Sequence, residues 1–197
     1  MFFDLDGVLV DSFEANLALM NDAAAAFGCP PIDRETLRAC FGQSVQEDVE
    51  RFYPGASVDA VRAYFTERYA DHADLVAARP GAHETLDALD ARGLLSAVIT
   101  NSQSSTSRAL LEAKGLIPHA LVGEDDVARP KPAPDMVFRA CEVLGVPPWE
   151  VLVVGDSAYD REAAASAGSL FAGLGVSGAF TIAHLSEVVS IIDGAGP

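Results

Sequence analysis

The sequence predicts an α/β protein, a doubly wound parallel sheet of Rossmann-like type carrying a helical insert after its first strand. Three observations carry this reading. Short apolar runs alternate with helical patterns over most of the chain, one long stretch near the N-terminus shows helices only, and acidic or polar residues follow the apolar runs.

The elements follow in order. Residues 2–5, 95–99, 120–122, 151–154 and 170–172 are apolar and short enough to be buried strands. Helical patterns over 108–114, 135–144 and 159–167 stop at Gly115, Gly145 and Gly168, since glycine accepts the left-handed turn that closes a helix. Strand alternating with helix implies a parallel sheet covered on both faces.

Residues 12–79 break that rhythm. Helices are expected over 14–27 and 34–40, separated by the turn residues Gly28-Cys29-Pro30-Pro31. Ser44 and Glu47 have capping-box spacing, and a last helix is expected over 58–78 before Pro80-Gly81. The predicted organisation is a core of residues 1–11 and 80–197 with a helical cap at 12–79.

Composition narrows the function. The chain has 197 residues, 29 acidic against 13 basic, and a net charge of −16. Polyanions reward Lys and Arg, so nucleic acid and anionic membrane are excluded as partners. An apolar content of 50% excludes compositional disorder. Cys29, Cys40 and Cys141 form neither a disulfide framework nor a zinc pattern. The start, Met1 to Val10, has no basic region and reads as no signal peptide, and no apolar run approaches the length of a membrane span. A cytoplasmic protein is expected.

Ligands of open parallel sheets bind beyond the carboxyl ends of the strands. There the chain places Asp4 and Asp6, then Thr100 and Asn101, then a loop reaching Lys131, then Asp156 and Asp160. Two carboxylates 4 Å apart repel by about 4 kcal/mol at an effective dielectric of 20. A hard divalent cation and one lysine relieve this, and Mg²⁺ suits one or two carboxylates plus phosphate oxygens. The set suggests phosphoryl transfer.

Asp4-Leu5-Asp6-Gly7-Val8, Thr100-Asn101, Lys131-Pro132 and Gly155-Asp156-Ser157-Ala158-Tyr159-Asp160 resemble the four ordered motifs of the haloacid dehalogenase superfamily. The resemblance is greatest to its phosphoglycolate-phosphatase and β-phosphoglucomutase branch, which carries a helical cap between the first two motifs. It implies Asp4 as the nucleophile and Asp6 as the acid and base. It further implies Mg²⁺ held by the Asp4 carboxylate, the Asp6 main-chain carbonyl and Asp156, with Asp160 alongside. Thr100 would bind the phosphate and Lys131 would neutralise Asp4 and the transferred group. Asn101, Phe13, Asn16, Phe41, Gln43 and Ser44 are candidates to contact substrate.

Each residue has a plainer reading. Strand-end aspartates are usually turn or cap residues, and Thr100 suits a strand. Lys131 is one of two lysines and sits in a proline-stiffened loop, whereas Lys114 closes a helix where a cation complements the dipole. The glycine pattern Gly173 to Gly178 reads as turn chemistry, Asp125-Asp126 as a turn, and the four histidines as structural.

Asp6 disfavours carbon–halogen cleavage, and the absence of lysine between residues 12 and 79 removes a Schiff-base phosphonatase. Residues 41–45 lack the basic group of the mutase branch, with Arg38 and Arg51 as its possible substitutes. The expected activity is a Mg²⁺-dependent phosphatase acting on a small phosphorylated metabolite. The alternatives are a phosphomutase, a phosphoacceptor domain or a binding protein without turnover. Oligomeric state is not encoded legibly. Only three residues precede Asp4, fewer than in related chains, which raises the expectation of a native start upstream of Met1.

Overall fold

The computed structural model describes residues 1–194. It opens with β1 (Phe2–Phe3), β2 (Val10–Asp11), α1 (Phe13–Ala26), α2 (Arg34–Arg38), α3 (Val45–Phe52) and α4 (Val58–Arg68). A 3-10 turn (Tyr69–Leu75), β3 (Ala77–Ala78), α5 (Ala82–Asp90), β4 (Ala97–Ile99), α6 (Ser104–Lys114) and β5 (Ala120–Val122) follow. The chain continues through α7 (Asp135–Leu144), β6 (Leu152–Gly155), α8 (Ala158–Ala167), β7 (Leu170–Leu174), β8 (Phe180–Ile182) and α9 (Glu187–Ile192).

Six strands form one parallel sheet in the order β5-β4-β1-β6-β7-β8. The chain moves one way from β1 to β5, then crosses back to β6, so the strand order reverses around β1. That is where a doubly wound sheet opens a crevice. Alternate residues of the buried strands feed two cores. Phe3, Val98 and Val154 pack with Leu86 and Leu89 of α5, Leu110 and Leu111 of α6 and Val188 of α9. Phe2, Ala97, Ile99 and Val153 pack with Met136, Val137 and Ala140 of α7 and Ala163 and Ala164 of α8. Helices therefore cover both faces, as the apolar runs imply.

A third apolar cluster lies within α1 to α4, centred on Met20, Ala23, Leu37, Val49, Tyr53 and Val61. Tyr53 is fully buried and its hydroxyl donates to the Met20 carbonyl at 2.9 Å. The Ser44–Glu47 capping box forms as its spacing implies.

Five expectations need correction. A two-stranded antiparallel ribbon, β2 with β3, joins the helical segment to the sheet; two-residue strands leave too short an alternation to read. The helix expected over 58–78 stops at Arg68 and tightens into the 3-10 turn. Strand β8 and helices α5 and α9 lie outside the expected set. The glycine pattern is corrected in part: Gly175, at a φ of +73°, does sit in the bend after β7, but Gly173 is inside β7 and a Cβ there would lie 2.1 Å from the Val176 carbonyl oxygen. The last is the expected strand at 2–5, whose strand residues are only Phe2–Phe3, with one further hydrogen bond at Asp4, because the backbone curls from Leu5, whose carbonyl accepts from the N–H groups of Val8, Leu9 and Val10.

Candidate active site

The curl after β1 places Asp4 at the strand end and Asp6 in the turn beyond it. The Asp4 N–H donates to the Val154 carbonyl, which continues the sheet, and its carboxylate accepts from the Leu5 N–H at 2.7 Å. Gly7 is the permissive point of this turn. Its φ is +85°, and a Cβ there would stand 2.1 Å from Asp156 Oδ2. Glycine thus serves both the left-handed backbone and the approach of the second aspartate.

Lys131 is 2% exposed, and its Nζ lies 2.8 Å from Asp4 Oδ1 and 2.6 Å from Asp160 Oδ1. Its third donor goes to the Ile99 carbonyl at 3.0 Å. Burial by itself works against the ammonium, but Asp160 and then Asp4 hold it above the ordinary lysine range. Burial pushes the Asp4 carboxyl well above its ordinary value; Lys131 opposes this, while Asp160, Asp156 and Asp6 add to it. Asp156 is pushed up to about 6 by burial and then by Asp160.

Asp4, Asp156 and Asp160 each offer a carboxylate oxygen within 4.8 Å of the others. Among the described residues three acids gather around Lys131, with Arg79 a weaker attraction on Asp156, which leaves excess negative charge in a desolvated place. The donors are all hard oxygens, so the set fits a divalent cation such as Mg²⁺. Asp160 differs from its neighbours. Its Oδ1 faces Lys131, and its Oδ2 accepts from Ser157 N–H at 3.2 Å and Ser157 Oγ at 2.5 Å. It is fully buried as the third residue of the α8 capping box, so it orients Lys131 and the helix start.

Asp6 faces the other way. Its Oδ1 accepts from Ser12 Oγ at 2.5 Å and from Asn16 at 3.4 Å, and its Oδ2 from Ser102 Oγ at 2.9 Å. Thr100 is 1% exposed, and its Oγ1 accepts from the Ser102 N–H at 3.1 Å. Its hydroxyl proton is therefore available to another acceptor.

A cleft, open at its mouth, begins at Asp6 and runs between the sheet edge and helices α1 to α4. Of the candidate substrate contacts, Asn16, Phe41, Gln43 and Asn101 line it. Phe13 and Ser44 do not. Phe13 packs edge-to-face on Phe41 with ring centres 5.2 Å apart, under the Arg38 guanidinium at 4.3 Å. Ser44 is occupied as the α3 cap. Asn101 lines the cleft but is engaged: its amide donates to the Gly42 and Lys131 carbonyls, and its oxygen accepts from the Lys131 N–H, all at 2.9 Å. It ties the helical segment to the lysine loop.

Several contributors escaped sequence reasoning. Ser12 and Ser102 aim Asp6 and carry no motif; Ser157 was legible, because Ser157 and Asp160 have capping-box spacing. Glu124 is nearly buried and binds Arg62 Nε at 3.0 Å and the Val45 N–H at 3.3 Å, bridging to α4 and α3. Asp48 is 9% exposed in the cleft wall, accepts from Gln43 at 2.6 Å, and is pushed up to about 7, first by burial. Asp125 caps Ser104, as a turn acid would.

Comparison with known proteins agrees with this geometry. The family model for haloacid dehalogenase-like hydrolases matches residues 1–174. A phosphoglycolate phosphatase of Chromobacterium violaceum is 33% identical over 97% of this chain and 92% of its own length. An N-acetylmuramic acid 6-phosphate phosphatase of Pseudomonas aeruginosa is 32% identical over 86% of this chain and 78% of its own. Among solved structures, a haloacid dehalogenase-superfamily hydrolase of subfamily IA from Geobacter sulfurreducens superposes with a TM-score of 0.79 at 30% identity, covering 96% of this chain and 97% of that one. A six-stranded parallel sheet, the acid–lysine cluster at its edge and a match over most of the length lead to one conclusion: the chain belongs to the haloacid dehalogenase-like hydrolase family and stands with its phosphatases.

Proposed function

We propose that the protein is a Mg²⁺-dependent phosphatase that hydrolyses a small phosphorylated metabolite through an aspartyl-phosphate on Asp4. The observation that carries this is the contact of Lys131 with Asp4 at 2.8 Å beside Asp156, which makes one strand end both nucleophilic and anion-tolerant. Asp4 and Asp156, with the main-chain carbonyl of Asp6, would hold the cation, which when bound supplies charge neutralisation to the phosphoryl oxygens.

The residues then divide the work. The free Asp4 carboxylate oxygen attacks phosphorus as the bond to the leaving oxygen breaks, and Asp6, held toward the cleft by Ser12 and Ser102, gives that oxygen its proton. Asp6, now a carboxylate, takes a proton from water; the hydroxide attacks phosphorus, the Asp4–phosphate bond breaks, and inorganic phosphate leaves. Thr100 donates its hydroxyl proton to a phosphoryl oxygen, and Lys131 balances the charge on Asp4 and the transferring group. Residues 12–79 act as the cap that excludes bulk water, tied down through Asn101–Gly42 and Glu124–Arg62. No lysine or arginine among the described residues lines the cleft, so a second phosphate would find no cation in that lining, and we favour hydrolysis over mutase chemistry. Arg38 and Arg51, the cap cations a mutase would call on, lie over Phe13 and Phe52 instead. Phosphorylated metabolites are held inside cells, so this reading assigns the enzyme to the cytoplasm; no helix of the described residues is long and apolar enough to cross a membrane.

The test is hydrolysis of a panel of phosphorylated metabolites and p-nitrophenyl phosphate, with Mg²⁺ and with excess EDTA. Turnover that needs Mg²⁺ supports the proposal. Full activity in EDTA, or none on any ester, defeats it.

A further inference from the structure

The cleft beyond Asp6 has walls that the phosphoryl chemistry leaves unused. Its charged lining residues are Asp6 and Asp48; no lysine or arginine among the described residues lines it with them, and Arg51, behind the wall, gives Asp48 only its weakest attraction, outweighed by burial. Asp48 is 9% exposed; one oxygen accepts from Gln43, and the other makes no hydrogen bond among the described residues. From the start of α6, Gln103 Nε2 and Ser107 Oγ are buried in the cleft lining without any partner, although Gln103 Oε1 accepts from Thr66 at 2.5 Å. Buried polar groups in folded proteins are nearly always paired. Free donors and a free acceptor in one cleft wall therefore mark places for groups that a substrate brings.

Hydroxyls both donate and accept, so a polyhydroxylated leaving group can satisfy all three positions. A carboxylate only accepts, and it would sit near the Asp48 charge where little water screens it. The remaining lining is largely apolar and suits the C–H faces of a sugar. We infer that the substrate is a phosphorylated sugar or polyol rather than a phosphorylated carboxylic acid, with Asp48 as the residue that discriminates. This rests on the phosphatase reading above and separates the chain's specificity from that of relatives named for phosphoglycolate, which carries a carboxylate.

Matched pairs test it. At pH 8, where Asp48 is charged, kcat/KM is measured with Mg²⁺ for glycerol 3-phosphate against 3-phosphoglycerate, and for glucose 6-phosphate against 6-phosphogluconate. The member without the carboxylate should be preferred by about tenfold or more in at least one pair. Asp48→Asn keeps the shape and the Gln43 contact, and should shrink that preference by about threefold or more. The wild-type ratio stands whether or not the variant folds. Turnover of p-nitrophenyl phosphate with no preference for the carboxylate-free member of either pair overturns the inference alone. An unchanged ratio in Asp48→Asn overturns the role of Asp48. No hydrolysis of any ester, p-nitrophenyl phosphate included, overturns the phosphatase reading and this inference with it.

Discussion

Lys131→Met removes the ammonium that holds two buried carboxylates, Asp4 and Asp160. The contacts at 2.8 and 2.6 Å are each worth about 6 kcal/mol gross at an effective dielectric of 20. Desolvation of the three ions takes much of that back, and breaking a buried pair by deleting one partner costs about 3–5 kcal/mol net. Methionine fills similar volume, so the loss is chiefly electrostatic. At about 2–4 °C per kcal/mol for a chain of this size, the melting temperature should fall by roughly 6–20 °C in EDTA at pH 7.5. Circular dichroism at the helix band measures it. The deficit should narrow at pH 5, where the orphaned carboxylates can take up protons, and adding Asp160→Asn should return part of it. A fall below about 3 °C at pH 7.5, or a deficit independent of both pH and Asp160, would refute the claim that this lysine neutralises the cluster.

Other outcomes follow from the same geometry. Gly7→Ala puts a Cβ 2.1 Å from Asp156 Oδ2 at a φ of +85°, so kcat/KM for p-nitrophenyl phosphate should fall at least tenfold; wild-type activity would show that Asp156 need not stand there. Asp156 titrates near 6 folded against an ordinary 3.8, so between those values the folded state holds the extra proton. Stability of the metal-free protein should therefore fall as pH rises from about 4 to 6, by up to about 1.4 kcal/mol per pH unit from this group. Asp4 acts in the same direction, and Mg²⁺ should raise the melting temperature more at pH 7.5 than at pH 5; equal shifts would contradict it. Asn101→Ala strips partners from the Gly42 and Lys131 backbone groups and should cost about 3 kcal/mol in urea unfolding, a change below 0.5 kcal/mol counting against the tie.

The sequence disclosed the parts of the molecule that have a period or a chemistry of their own. Buried strands such as residues 151–154 are unbroken apolar runs, and helices ending at Gly115, Gly145 and Gly168 advertise their stops. The acids at the sheet edge were legible because strand ends converge by topology. Lys131 stood out through scarcity in a stiff loop. The ribbon of β2 and β3 was hidden, since two residues show no alternation, and α5 was passed over beside the louder motifs. Side chains that aim others were hidden for a different reason. Ser102 and Glu124 act through partners far along the chain, Ser102 lying 96 positions from Asp6, and Ser12 reaches Asp6 across a six-residue turn that no local pattern records. Phe13 and Ser44 fell near the cleft in sequence but are spent on aromatic packing and helix capping.

The proposed nucleophile can be asked for directly. With Mg²⁺ and a phosphate ester in turnover, hydroxylamine quench converts an acyl-phosphate to a hydroxamate, which peptide mass spectrometry locates. The modification should fall on Asp4 alone, should require both Mg²⁺ and ester, and should vanish in Asp4→Asn together with hydrolysis. Hydrolysis that continues in Asp4→Asn, or a hydroxamate on another residue, would contradict the central role of Asp4.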